Sequence, residues 1–125
     1  MNIHVDPNGT VPIYRQISQQ IKNAVAIGRL TSGTKLPSIR ELSKKIEVNP
    51  NTVVRAYQEL ERDGVVESLR GVGTFVCNVK IKINDGQRRQ RIEKIVQELL
   101  TEAYHLNFDQ DELMAIIIKE LEKWY

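Results

Sequence analysis

The chain has 125 residues, room for one compact unit or a small domain with an appendage and too little for a large multi-domain enzyme. Apolar residues make up 41% and charged residues 27%, which implies a packed core and excludes wholesale disorder or a collagen-like chain. The formal net charge is only +2, but residues 1–80 hold 11 Lys/Arg against 7 Asp/Glu and residues 81–125 hold 7 against 9, so the two halves differ in sign.

Pro12 suits a first helical residue, and Ile13, Ile17, Ile21, Ala24 and Val25 then recur on one helical face until Gly28 ends the run. After a loop closed by Leu36-Pro37, Ser38 suits the N-cap of a short helix with Ile39, Leu42 and Ile46 facing inward and Arg40 and Lys44 facing away. Four residues later Asn51 is expected to cap a third helix, with Val53, Ala56, Tyr57 and Leu60 inward until Gly64. Two helices so closely spaced predict a helix-turn-helix. Val65 to Leu69, a flexible Arg70-Gly71-Val72-Gly73 turn, and Thr74 to Cys77 then predict a β-hairpin.

The polar cluster Asn84-Asp85-Gly86 is expected to be a turn marking a change of unit. Beyond it, Ile92, Ile95, Val96, Leu99, Leu100 and Ala103 form one apolar helical stripe. Asp109 with Glu112 suits a capping box that opens a second helix, whose stripe is Leu113, Ile116, Ile117, Leu121 and Trp124. A hairpin of two such helices has little core of its own, so its surplus apolar surface must be covered by the N-terminal unit or by a second copy.

The chemistry concentrates on the third helix. At about 100° per residue, Asn51, Arg55, Gln58 and Arg62 lie opposite its apolar face. Asn and Gln pair with adenine edges and Arg with guanine, and the major groove of B-DNA admits a helix. Glu59 and Glu61 oppose phosphates in the C-terminal half, which places base contact at Asn49, Asn51, Thr52 and Arg55, with Val54 suited to a thymine methyl. Between Arg29 and Arg55 six basic residues face two acidic ones, a place for a polyanion to dock.

Other chemistries find little support. Cys77 is the one cysteine and His4 and His105 the two histidines, so no disulfide framework or zinc-like spacing exists, and no metal or cofactor is expected. Gly71-Val72-Gly73 lacks the third glycine of a dinucleotide loop and fits a hairpin tip, where glycines permit positive φ and close approach to a sugar-phosphate backbone, with Arg70 adding charge. Tyr57 and Trp124 fall on apolar stripes, and no catalytic constellation is readable. The longest apolar run, Leu113 to Ile118, is far short of the roughly 18 residues that cross a bilayer, and no basic-then-apolar leader opens the chain; a cytoplasmic protein without membrane association is expected.

Three separated motifs, Lys35-Leu36-Pro37-Ser38-Ile39-Arg40-Glu41-Leu42-Ser43, Val48 to Glu61 and Arg70-Gly71-Val72-Gly73-Thr74-Phe75-Val76, resemble in order the GntR superfamily of bacterial transcription regulators. The Asn-Pro-Asn-Thr-Val turn with a short two-helix tail is similar to its YtrA-like branch. The resemblance implies a winged helix-turn-helix, a homodimer on a two-fold operator, repression, and control of transporter genes. It also implies DNA contact by Arg40 and Thr52 and a wing tip at Gly71 and Gly73. Many relatives carry Arg where this chain has Pro50 and Val54, and Arg55 is the substitute read here.

The resulting expectation is a mainly α fold with a small β-hairpin: a winged helix-turn-helix over residues 1–80 and a dimerising helical hairpin over residues 81–125. Its partners are double-stranded DNA and a second copy. The DNA-contacting set is Lys35, Ser38, Arg40, Lys44, Asn49, Asn51, Thr52, Val54, Arg55, Arg70, Gly71 and Gly73, and the dimer set is Ile92, Ile95, Val96, Leu99, Leu113, Ile116, Ile117, Leu121 and Trp124. Any small-molecule effector would need a site between subunits or domains, because the tail alone is too small to enclose one. The rival reading is a winged-helix protein-interaction module that does not bind DNA.

Overall fold

The computed structural model describes residues 1–77 and 84–124. The chain divides into two compact units, Met1–Ile81 and Lys82–Tyr125. The expected boundary between residues 80 and 81 lies outside the described residues.

The first unit contains α1 (Ile13–Ala26), α2 (Ile39–Lys45), α3 (Pro50–Arg62), β1 (Val66–Leu69) and β2 (Gly73–Val76). This is the winged-helix arrangement, with the helix-turn-helix followed by an antiparallel hairpin in which Val66 pairs with Val76 and Leu69 with Gly73. Ile17 and Ile21 of α1, Leu42 of α2, and Val53, Ala56, Tyr57 and Leu60 of α3 meet in one core with Val66, Val76, Leu36 and Ile3. α3 packs against both α1 and α2, so its buried face is shared between two helices and its opposite face is left outward.

Three local features of this unit differ from the sequence expectation. Pro12 is the N-cap of α1 rather than its first residue. α3 starts earlier than expected: Asn49, not Asn51, is its N-cap, accepting the Asn51 backbone N–H through Oδ1 at 2.8 Å, and Pro50 takes the first helical position. Proline there loses no hydrogen bond and brings a helical φ, so Asn49-Pro50 makes a stronger start than a cap at Asn51. The segment before α2, read as loop, runs beside β2: Lys35 bridges Phe75, Leu36 donates its N–H to Thr74 O, and Val76 donates to Thr34 O.

The N-terminal segment, on which the sequence gives no periodic signal, is fastened to α1 by two glutamine amides. Gln16 accepts the Asp6 N–H at 2.7 Å and donates to Asp6 O at 2.9 Å; Gln20 accepts the His4 N–H at 3.1 Å and donates to His4 O at 2.6 Å. Glutamines four apart on a helix are about 6 Å apart, close to the repeat of alternate residues in an extended chain, so each amide reaches the N–H and C=O of one residue. Ile3, just before the His4 anchor, enters the core.

The second unit contains α4 (Asp85–His105) and α5 (Gln110–Trp124). Asn84 caps α4 by accepting the Gln87 N–H, so Asp85 and Gly86, expected in a turn, form its first turn. Asn107 adopts a φ of 63° in the connection, and Asp109 with Glu112 closes the capping box. Ala103 is the one buried residue among those described in this unit.

Candidate nucleic-acid interface

The outward face of α3 is built as its periodicity requires. Asn51, Arg55, Gln58 and Arg62 are exposed, Thr52 and Val54 are half-buried at its flanks, and Asn49 and Pro50 are exposed at its start. The Asn49 carbonyl oxygen is engaged in capping, which leaves its amide NH2 as the group free to point outward. Arg55 carries a constraint that the sequence does not reveal: its guanidinium carbon lies 4.0 Å from the centre of the Tyr14 ring of α1. Stacking engages the guanidinium face and leaves its in-plane N–H donors for a ligand.

On α2, Arg40 and Lys44 are exposed. Ser38 accepts the Glu41 N–H at 3.0 Å while Glu41 Oε1 accepts the Ser38 N–H, a capping box whose hydroxyl proton remains available. At the hairpin tip Val72 donates to Leu69 O across a turn carrying Arg70 and Gly71, with Gly71 at φ 77°. Gly73, at φ 145°, has a reason of its own: a Cβ there would stand 2.7 Å from Lys35 Cε, so the Lys35 stem crosses the tip where a side chain is missing. Val72 and Leu69 add exposed apolar surface at the same tip, a feature read only as turn and strand from the sequence.

The charges segregate. Among the described residues, Lys35, Arg40, Lys44, Arg55 and Arg70 take part in no ion pair. Two carboxylates at the C-terminal end of α3 are turned toward α1 instead: Glu59 accepts from Ser18 Oγ at 2.7 Å and pairs with Arg15 at 3.6 Å, and Asp63, the C-cap, pairs with Lys22 at 2.6 Å. Glu59 is therefore not the phosphate-repelling group that its place in the sequence suggests, whereas Glu61 remains exposed. The outcome is a ridge of free cations and amides on α2, the start of α3 and the hairpin tip. Among the described residues, no cluster of His, Cys, Asp or Glu suits a metal ion, and no helix is long and apolar enough to cross a membrane.

Residues 13–76 match the family of bacterial regulatory proteins named gntR. The chain belongs to the gntR family. It is a DNA-binding transcriptional regulator and not an enzyme. The transcriptional repressor YtrA of Bacillus subtilis is 41% identical over 112 residues, covering 89% of this chain and 85% of YtrA. The crystal structure of a transcriptional antiterminator from Listeria monocytogenes superposes with a TM-score of 0.85 at 34% identity, over 96% of this chain and 90% of that one. The DNA-binding domain of AraR, solved in complex with its operator ORX1, superposes with a TM-score of 0.53 at 28% identity, over 58% of this chain and 90% of that one.

In the second unit of this gntR regulator, Ile92, Ile95, Val96, Leu99, Ile116, Leu121 and Trp124 are between 41% and 59% exposed, with Leu113 and Ile117 half-buried. An open apolar groove is lined by Leu99 of α4 and by Leu113, Ile116, Ile117, Leu121 and Trp124 of α5. Ile92, Ile95 and Val96 lie on the preceding turns of α4, outside the groove lining.

Proposed function

We propose that the protein is a homodimeric repressor that binds a two-fold symmetric operator in the cytoplasm. The observation that carries this reading is the outward face of α3, which pairs groups suited to base edges with a neighbourhood of unpaired cations. Asn51, Thr52 and Arg55 read bases in the major groove, Val54 meets a thymine methyl, and the Asn49 amide lies at the edge of that footprint. Lys35, Ser38, Arg40, Lys44 and Arg70 hold phosphates, and Gly71 and Gly73 keep the wing tip slim enough to approach the backbone.

Dimerisation through α4 and α5 is supported by the apolar side chains left exposed there, too many for a single soluble chain to leave uncovered. A two-fold pair of recognition helices then requires half-sites about 10 bp apart, or a multiple of that. The repressor role follows that of the Bacillus subtilis repressor YtrA.

Selection of bound fragments from random duplex DNA by the purified protein tests the reading. Enrichment of an inverted repeat is expected, with a steep fall of affinity as its spacer is altered. Recovery of unrelated fragments, or equal affinity for one half-site and for the full repeat, would overturn it.

A further inference from the structure

The charge of α4 is distributed in a way that neither folding nor the apolar groove explains. Gln87 to Lys94 holds four cations, Arg88, Arg89, Arg91 and Lys94, against Glu93, whereas residues 95–124 hold two lysines against seven acids. Arg88 is paired with Asp85 at 3.5 Å, and among the described residues Arg89, Arg91 and Lys94 take part in no ion pair. These cations occupy the end of the helix where the backbone dipole favours anions. A local preference broken without a structural return points to function.

We propose that the first half of α4 is a second phosphate-binding surface, which grips the sugar-phosphate backbone of duplex DNA outside the stretch held by α2, α3 and the wing. Gln87, Gln90, Arg91 and Lys94 follow the i, i+3, i+4, i+7 spacing of a single helical face and line a shallow open groove. At about 100° per residue this face is centred roughly 140° from the stripe of Ile92, Ile95, Val96 and Leu99. A partner helix seated on that stripe leaves the polar face uncovered. Two cations flanked by two amide donors suit successive phosphate oxygens and carry no base preference. The tether is short as well: residues 78–84 join Cys77 to Asp85, a span of at most about 28 Å, or roughly eight base pairs of B-DNA. This inference rests on the DNA-binding reading of the first unit.

The experiment uses the full chain carrying R91Q and K94Q together, titrated with salt on two duplexes of the selected operator. One is trimmed to the recognised bases and the other extended by about 10 bp on each side. On the extended duplex, the slope of log affinity against log salt should drop by up to about 1.8 per bound chain, a roughly twelvefold smaller loss of affinity between 50 and 200 mM salt. On the trimmed duplex the slope should not change, and the charge-retaining R91K should behave as wild type on both. Equal slopes for wild type and double variant on the extended duplex, at unchanged helical content and oligomeric state, would overturn the proposal, as they would if this face served an acidic protein. An equal loss on both duplexes would also overturn it. The companion variant R40A should weaken both duplexes; its failure to do so would count against the helix-turn-helix reading instead.

Discussion

Tyr14 of α1 and Arg55 of α3 form a cation–π stack, with the guanidinium carbon 4.0 Å from the ring centre, so the helix outside the helix-turn-helix positions an arginine on the outward face of α3. An unstacked Arg55 would have to order its long side chain on binding, at an entropic cost that the stack meets in the free protein. Such contacts at exposed sites are worth about 0.5–1 kcal/mol. Tyr14→Ala should therefore weaken operator binding by about two- to fivefold, while Tyr14→Phe, which keeps the ring, stays near wild type. Fluorescence titration of a labelled operator checks this, and a loss in Tyr14→Phe equal to that in Tyr14→Ala would show that the hydroxyl, not the stack, matters.

Glu59 anchors the recognition helix to α1. It accepts from Ser18 Oγ at 2.7 Å, and the Ser18 side chain is buried, so removing the carboxylate leaves a desolvated hydroxyl with only the longer bond to Arg15 O at 3.2 Å. Hydrogen bonds to charged groups contribute about 1.5–3 kcal/mol. Glu59→Ala should lose about that much stability in urea unfolding, and Glu59→Gln, which retains an acceptor, clearly less. The direct Arg15 pair is more than half exposed on the arginine side, so Arg15→Ala should cost little by comparison.

What was legible in the sequence is what depends on neighbours along the chain. The two-sided character of α3 follows from residue order alone, because Val53, Ala56, Tyr57 and Leu60 share a face whatever they pack against. The same holds for the stripes of α4 and α5. The start of α3 was misplaced because Asn49 and Asn51 are both good caps, and only the preference of Pro50 for the first helical position separates them. The inward turn of Glu59, the stack of Arg55 on Tyr14 and the path of Lys35 over Gly73 join residues distant in sequence, and no period encodes them. The strand-like run beside β2 is too short, and Met1 to Val11 too irregular, to show an alternation.

Tyr57 ties the recognition helix to the approach of α2, its hydroxyl donating to Pro37 O at 2.6 Å. Burial, and secondarily the charge of Glu41, push its pKa well above the ordinary tyrosine value. Tyr57→Phe should cost about 1–2 kcal/mol at neutral pH by leaving the Pro37 carbonyl without this donor. The sign with pH follows from linkage. The unfolded chain ionises this phenol near pH 10 while the folded chain resists, so the stability it contributes is full below about pH 10 and declines as pH rises toward the raised folded value. The stability advantage of wild type over Tyr57→Phe, measured by urea midpoints, should be flat from about pH 7 to 9 and shrink above about pH 10. An advantage that grows with alkali would contradict the buried, neutral phenol.

Gly73 combines a φ of 145° with a missing side chain over Lys35. Gly73→Ala meets two penalties of different kinds. The clash with Lys35 Cε is relieved by swinging a flexible stem, but the backbone conformation remains unfavourable for an L residue, at about 1–3 kcal/mol. The substitution should destabilise by that amount, and most of the loss should persist when Lys35→Ala is added. A double-mutant cycle separates the two. Full rescue by Lys35→Ala would mean that close packing alone, rather than the backbone, requires glycine.

On the proposed reading, the tail brings two copies of α3 together. Leu121 lines the groove of α5 and is 47% exposed, and Ile95 on α4 is 59% exposed, so in the single chain neither is buried well enough for a charge there to disrupt a folded interior. In a two-fold dimer each substitution occurs twice, and each side chain, about half covered already, forfeits roughly half of the about 1.5–3 kcal/mol of a full burial before the desolvation of an aspartate is counted. Leu121→Asp should therefore weaken the dimer by at least about 1.5 kcal/mol, more than tenfold in its dissociation constant, and Ile95→Asp similarly. Sedimentation should show monomers at micromolar concentration with helical content retained. Binding to a single half-site should then match wild type, while the advantage of the full inverted repeat disappears. Dimers that survive both substitutions would place the self-association surface elsewhere on the molecule.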